Sequence, residues 1–255
     1  MGGLTFGMAA AAFVLVCAGG FEMARPWRPA GPSTTRRWIA NVTLYGLSFG
    51  LGYVMAPYVA ALVKLANIHL GLIERIDGTA LRIVIAILCL DLLDYALHRA
   101  SHRVALLWRV HQTHHSDVEL DVTTALRHHP FEAAVTSVVL GGGGALLGFA
   151  TPEIASYGAL AIAVQFVAHA NVAVPPLLAK LLAPVLVTPD FHRLHHSRVQ
   201  PEADANYGQV FSFWDRVFGS ERRGDANAVE FGLDAQRRPK DQNLSGLLVQ
   251  PMLRG

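Results

Sequence analysis

The feature that most constrains this chain is a run of long apolar stretches. Crossing the hydrocarbon of a bilayer takes about 20 apolar residues in a helix. Four or five segments qualify: 4–22, 38–64, 79–97, 131–150 and 153–174. The second is long enough to tilt and ends at Lys64, and the third, TALRIVIAILCLDLLDYAL, leads directly into His98. The last two read as a helical hairpin broken at Thr151-Pro152, and the Gly141–Gly144 run marks the fourth helix as kinked or re-entrant. A shorter apolar piece, 175–188, is bracketed by prolines and reads as an interfacial segment.

Composition agrees. Hydrophobic residues make up 52% of the 255 and charged ones 16%, against about 25% charged in soluble domains. The N-terminus has no Lys or Arg before its apolar run and no convincing A-x-A cleavage site, so it reads as a retained first helix rather than a signal peptide. Cys17 and Cys89 lie inside apolar runs as packing residues. A formal charge of +2 gives no argument for nucleic acid. The expected fold is therefore all-α, an integral membrane helical bundle of about four or five membrane helices. Residues 1–220 form a single domain, and 221–255 a polar C-terminal tail, read as a surface segment and partly disordered.

Charge sets the orientation. The loop 23–37, MARPWRPAGPSTTRR, carries four arginines and no acid, which places it in the cytoplasm. Counting spans from there puts both histidine-rich windows, and everything from residue 175 onward, on the same side.

Those windows hold the chemistry. Ten of the twelve histidines fall within 98–129 and 192–196. His98 and His102 are spaced i, i+4 and share a helix face. His111, His114 and His115 are spaced i, i+3, i+4, and His192, His195 and His196 repeat that spacing. Imidazole suits Zn, Cu, Fe and Ni. Eight clustered histidines exceed the four ligands of one tetrahedral zinc, so two metals fit the supply better. HExxH is absent, which removes the zinc-peptidase reading. His169, in QFVAHAN, is a further candidate, with Gln165 four residues earlier as a ligand or a hydrogen-bond partner of metal-bound water. His128 and His129, before Pro130 and close to Glu132, read as groups supporting the ligands. Asp94 lies one turn before His98 and is expected to orient that ring from beneath; pairing with Arg99 or Arg103 is the plainer alternative. His69 reads as an ordinary interfacial side chain.

HRASH, HQTHH and HRLHH, in this order with apolar helices between them, resemble the fatty acid hydroxylase/sterol desaturase superfamily of membrane di-iron enzymes. DVTTALRHHP, QFVAHANV, VTPDFHRLHH and NYGQVFSFWDRVFGS extend the likeness over roughly 38–220, closest to bacterial members. The resemblance implies a helical bundle with a cytosolic helical cap holding two iron ions. The implied ligands are His98, His102, His111, His114, His115, His192, His195 and His196, with His169 as a further one. Gln165 departs from the histidine or asparagine of the fullest relatives, and Asp215 is expected to hydrogen-bond a ligand histidine. The implied activity uses O2 and two electrons from a separate reductase to hydroxylate or desaturate a lipid that enters between the third and fifth helices. Short loops and an Ala/Arg-rich composition suit a bacterial inner membrane. The competing readings are a metal transporter or storage protein, whose ligands belong near the bilayer midplane, and a bis-histidine heme carrier, which leaves the HxxHH pairs unexplained.

Overall fold

The computed structural model describes residues 2–65, 73 and 76–252, so the reading of His69 lies outside the described residues. Among these residues every regular element is helical and only isolated bridges pair extended backbone. The apolar runs become α1 (Gly2–Ala24), α2 (Thr34–Leu65) and α3 (Thr79–Arg103), which is followed by α4 (Ala105–His115). The fourth run is broken, as its glycines require: α5 (Pro130–Thr136) passes through a π-helical stretch, Ser137–Gly142, into α6 (Gly143–Leu147). A Cβ on Gly144 would lie 3.0 Å from Ile154 and 3.2 Å from Leu90, so the glycine lets this turn approach its neighbours closely. The fifth run forms α7 (Thr151–His169). It ends five residues before the expected 174, because the chain turns to extended geometry at Ala170 once His169 has been delivered to the interior.

Short helices complete the end of the bundle: α8 (Pro176–Leu182), α9 (Pro189–His195), α10 (Gln200–Ala203), α11 (Phe213–Val217) and α12 (Leu244–Val249). The long helices pack α1 on α7, α3 on α7, and α2 on α5 and the π turn. Their outer faces are apolar. Phe13, Val16 and Phe21 on α1, and Ile39, Leu47, Phe49 and Tyr53 on α2, are exposed. An apolar surface of this extent is a liability in water and costs nothing in lipid. By length and composition, Thr34–Lys64 and Pro130–Leu147 are each able to cross a membrane. The chain is thus a membrane-associated helical bundle.

The cap is fastened by buried charge. Arg37, at the start of α2, bonds Asp117 and Asp121 through its side chain and the Glu119 carbonyl through Nη2. Asp117 also accepts from Asn41 and Thr124, and Arg127 lies 3.8 Å away. Burial alone would raise the Asp117 carboxyl, but Arg37 and Arg127 outweigh it and hold the group well below the usual carboxylate range. Two of the four arginines in the 23–37 loop are thus structural: Arg37 in this network, and Arg28 on the carbonyls of Asn227 and Val229. Glu22, near the end of α1, accepts from the backbone of Val122 and Asn171 and so ties two loops to one helix end.

The segment after 220 differs from the expected loose tail. Val229 and Phe231 pack with Leu120 and Leu194, and Leu247 is fully buried against Ala40 and Leu44. Gln242 donates to the Ser116 carbonyl and accepts from Arg127, while the Gln250 carbonyl accepts from Gln112. The segment is polar because its side chains satisfy buried backbone groups around α4. The anchoring glutamines leave no periodic signal in the sequence.

Asp117→Asn breaks the buried pair and leaves cations uncompensated, which costs about 3–5 kcal/mol. The expected outcome is a clear fall in the unfolding midpoint in mild detergent. A wild-type midpoint would show that the network does not fasten the cap.

Candidate metal centre

Four helices bring the histidines together. α3 carries His98 and His102 on its last turns, α4 carries His111, His114 and His115, α7 ends on His169, and α9 with its following residue carries His192, His195 and His196. Their ring nitrogens form two groups, each able to hold a metal ion. His98, His102, His111, His115 and His195 make one, and His114, His169, His192 and His196 the other, with the donor atoms of each group within 4.8 Å of one another.

The partition follows from helix geometry. At 3.6 residues per turn, i and i+4 point nearly the same way, while i+3 lies on the other side of i. In HQTHH the outer pair, His111 and His115, enters the first group and His114 the second. In HRLHH the outer pair, His192 and His196, enters the second group and His195 the first. Each motif therefore gives two rings to one group and one ring to its neighbour. The groups adjoin: His115 stacks on His196 with ring centroids 4.6 Å apart.

The tautomers are fixed from behind. Nδ1 of His98 lies 2.8 Å from the Tyr207 carbonyl, that of His195 2.7 Å from the Ala205 carbonyl, and that of His169 2.8 Å from the Gln165 carbonyl. Nδ1 of His111 lies 2.7 Å from Oε1 of Glu132. In His111, His169 and His195, where an oxygen faces Nδ1, that nitrogen carries the proton and Nε2 presents a bare lone pair; the Gln209 amide also lies 2.9 Å from Nδ1 of His98. Nε2 atoms of His98, His115 and His195 are buried without a hydrogen-bond partner. In the second group, Nε2 of His169 lies 3.2, 3.1 and 3.0 Å from Nε2 of His114, His196 and His192. Lone pairs crowded this closely repel one another unless a cation sits among them. Nitrogens about 2.1 Å from one ion and roughly at right angles stand about 3.0 Å apart, so the spacing fits a metal.

Protonation does not compete. Burial, followed by the neighbouring imidazoles, pushes His98, His102, His114, His115, His192 and His196 well below the ordinary value of 6.5. Burial brings His195 down to about 3. The rings are neutral at pH 7, the form a metal requires.

The remaining sequence candidates lie elsewhere. Asp94 accepts a 2.7 Å bond from the Tyr157 hydroxyl and makes no hydrogen bond to His98 or salt bridge to an arginine; the face it shares with His98 along α3 turns it toward α7. Gln165 supplies its carbonyl to His169, but its side chain donates to the Gln209 carbonyl rather than into the cluster. Asp215 touches no histidine: it accepts from the backbone of Tyr207 and Gly208, and so holds the loop whose Tyr207 carbonyl receives His98. His129 caps α5 through the Phe131 amide. His128 stacks on His114 at 4.4 Å and lies 3.1 Å from Glu132. Among the described residues Glu132 is the carboxylate that bonds His111 directly. Its i+4 spacing from His128 was the available signal. Trp108, packed 5.2 Å from His102, and the carbonyls of Ala205 and Tyr207 left none.

Comparison with known proteins agrees with this arrangement. Residues 83–220 match the model of the family described as fatty acid hydroxylase, more than half of the chain, and the chain belongs to that family. It is 35% identical to human alkylglycerol monooxygenase over 139 residues, which cover 53% of this chain and 29% of that enzyme. It is 32% identical to the ornithine lipid hydroxylase OlsE of Rhizobium tropici over 145 residues, 55% of this chain and 42% of the relative. A longer match, 209 residues at 29% identity, joins it to the very-long-chain aldehyde decarbonylase GL1-5 of Oryza sativa subsp. indica, covering 78% of this chain and 31% of that protein. The matched stretch spans less than half the length of each of these curated relatives. No solved structure matches the chain.

Glu132→Gln is expected to weaken metal binding at the first group by about 10–100-fold, with the second group unchanged. Metal titration of the stripped protein measures this, and Asp94→Asn serves as a control that keeps wild-type affinity. A second outcome concerns pH. Below 6.5 the unfolded chain takes up protons that the buried rings refuse, so the metal-free protein loses stability as pH falls through 6.5. The loss is about 1.4 kcal/mol per pH unit for each histidine kept neutral. An unfolding midpoint that stays flat between pH 7 and pH 5.5 would contradict the burial assigned here.

Proposed function

We propose that the protein is a membrane di-iron oxygenase that uses O2 and two external electrons to hydroxylate or desaturate a lipid. The observation that carries the reading is the convergence of nine histidines in two adjoining groups, with Nε2 of His98, His115 and His195 buried and unpartnered. The names of the relatives, a monooxygenase and a hydroxylase of lipids, supply the substrate class. In this reading His98, His102, His111, His115 and His195 hold one iron, and His114, His169, His192 and His196 the other. A ferrous pair in such a nitrogen-rich setting supplies the reduction of O2 and the oxidising power to break an unactivated C–H bond.

The chain's own residues do the rest. Glu132 and the carbonyls of Tyr207, Ala205 and Gln165 keep the ring protons on the outer nitrogens. Burial excludes water, which would otherwise quench the oxidant. α3 and α7 pack together and carry ligands at their inner ends, so a lipid tail lying between helices reaches the centre from the hydrocarbon side. The electrons come from a separate reductase. In this reading four or five helices cross a bacterial inner membrane, the site faces the cytoplasm, and residues 1–220 are one working domain. A transporter would want its ligands strung along a path through the bundle, whereas these crowd at one end of α3 and α7.

Comparative lipidomics of cells with the intact gene, without it, and with His195→Ala provides the test. A lipid carrying an added hydroxyl or double bond is expected only with the intact gene, and lost by at least tenfold in the variant. Identical lipidomes, together with absence of iron in protein purified from iron-replete cells, would remove the oxygenase reading.

A further inference from the structure

The outer side of α3 carries a feature that the oxidation chemistry does not use. Leu81, Val84 and Leu88 stand 52%, 52% and 38% exposed. Steps of three and four residues continue the same stripe through Leu92 and Ala96 to Arg99 and Arg103. This side of the helix is apolar along its length and cationic at its inner end.

Interfacial arginines at the ends of membrane helices commonly reach for headgroups without forming a site. Here there is a second wall. Phe218, from the turn after α11, packs against the last turns of α3 and lines one side of an open groove of about 340 Å³ over Leu92, Ala96 and Ala100, with Arg99 and Arg103 among its walls. That volume lies within the range of small-ligand pockets. Tyr95 backs the groove: its ring stacks on Phe218 at 5.4 Å and meets Tyr207 edge-on at 6.3 Å, and Tyr207 in turn touches His98. A layer of aromatic rings therefore separates this groove from the histidines.

Among the described residues neither guanidinium group is in direct contact with a carboxylate. Arg99 donates to the Tyr95 hydroxyl and the Phe218 carbonyl at 3.2 and 3.3 Å, contacts that position the head and leave its charge. Among the described residues no carboxylate lies within 4.0 Å of either arginine, whereas Arg82, Arg193 and Arg198 each have one. Asp204 is turned toward His102, 3.4 Å away, and acts on Arg103 only at longer range. Like charges at i, i+4 destabilise a helix, and an anion between them reverses the sign. A phosphate takes the charge-assisted bonds of two arginines well.

We infer that this groove seats one anionic phospholipid of the surrounding bilayer, its phosphate between Arg99 and Arg103 and an acyl chain along Leu92, Ala96 and Phe218. The inference needs the membrane setting and not the oxidation reaction. An acidic protein would also be drawn to two arginines, but the apolar floor reaching down to Leu92, one turn from exposed Leu88, suits a hydrocarbon chain.

The experiment titrates the full-length, metal-loaded protein in an uncharged detergent with phosphatidylglycerol or phosphatidylcholine of the same chains. Native mass spectrometry counts the lipid bound. One phosphatidylglycerol per chain is expected, held at least tenfold more tightly than phosphatidylcholine. The double variant Arg99→Gln, Arg103→Gln should bring phosphatidylglycerol down to the phosphatidylcholine level. Ala96→Phe, which fills the groove and keeps both charges, should weaken both lipids. Metal content equal to wild type shows that each variant is folded. Equal affinity for the two lipids in the wild type, or unchanged phosphatidylglycerol binding in the double variant, overturns the proposal. If that variant keeps its lipid but is reduced more slowly by an acidic redox protein, the arginines form a protein-docking face and the lipid site falls. No turnover is measured, so the result is independent of the oxygenase reading.

Discussion

The rest of the structure depends on keeping nine imidazoles oriented and close together inside a low-dielectric interior. Unpaired ring nitrogens are costly to bury, and nitrogens crowded at 3.0–3.2 Å repel. The fold holds them there by fixing the opposite nitrogen. His98, His195 and His169 spend Nδ1 on backbone carbonyls, and His111 spends it on Glu132. Those acceptors come from different parts of the chain, so the elements around the site are organised to aim lone pairs.

That requirement explains the cap. The loop 203–222 places the Ala205 and Tyr207 carbonyls against α3 and α9, and Asp215 and Asp91 hold it in place. Asp215 accepts from the Tyr207 and Gly208 amides, and Asp91 from Val210, Phe211 and Trp214. Asp91 is thus an acid within an apolar helix that faces inward and is fully satisfied, the usual condition for such a residue. The Arg37 network does the same for the loop after α4. Buried charge fastens both loops because backbone amides at the end of a bundle have no sheet or helix ladder of their own to join.

Much of this was legible in the sequence. The long helices follow from apolar length, and the break in the fourth from Gly141–Gly144. The histidine motifs follow from spacing alone. Their division between two groups is also implicit in the HxxHH pattern, though choosing which ring goes to which group requires the placement of α4 and α9 in space. Side-chain partners across long separations were not legible. Asp94 lies on the face of His98, yet the neighbouring helix brings Tyr157 closer than the ring. Gln165 holds His169 with its carbonyl, and no residue type advertises a carbonyl. The region after 220 reads as a polar surface segment because Gln236, Gln242 and Gln250 have no periodicity, although each bonds a buried group.

α3 shows why the two halves of the problem cannot be separated. Near its start it leaves Leu81, Val84 and Leu88 exposed, and further along it turns Asp91, Asp94, His98 and His102 toward the interior. The helix rises about 1.5 Å per residue, so the histidines stand at a fixed height above the apolar stripe. Any shift of the helix along its axis moves both together. The position of the exposed apolar stripe therefore also fixes where His98 and His102 stand along the helix. That coupling lies in the covalent geometry of α3 itself.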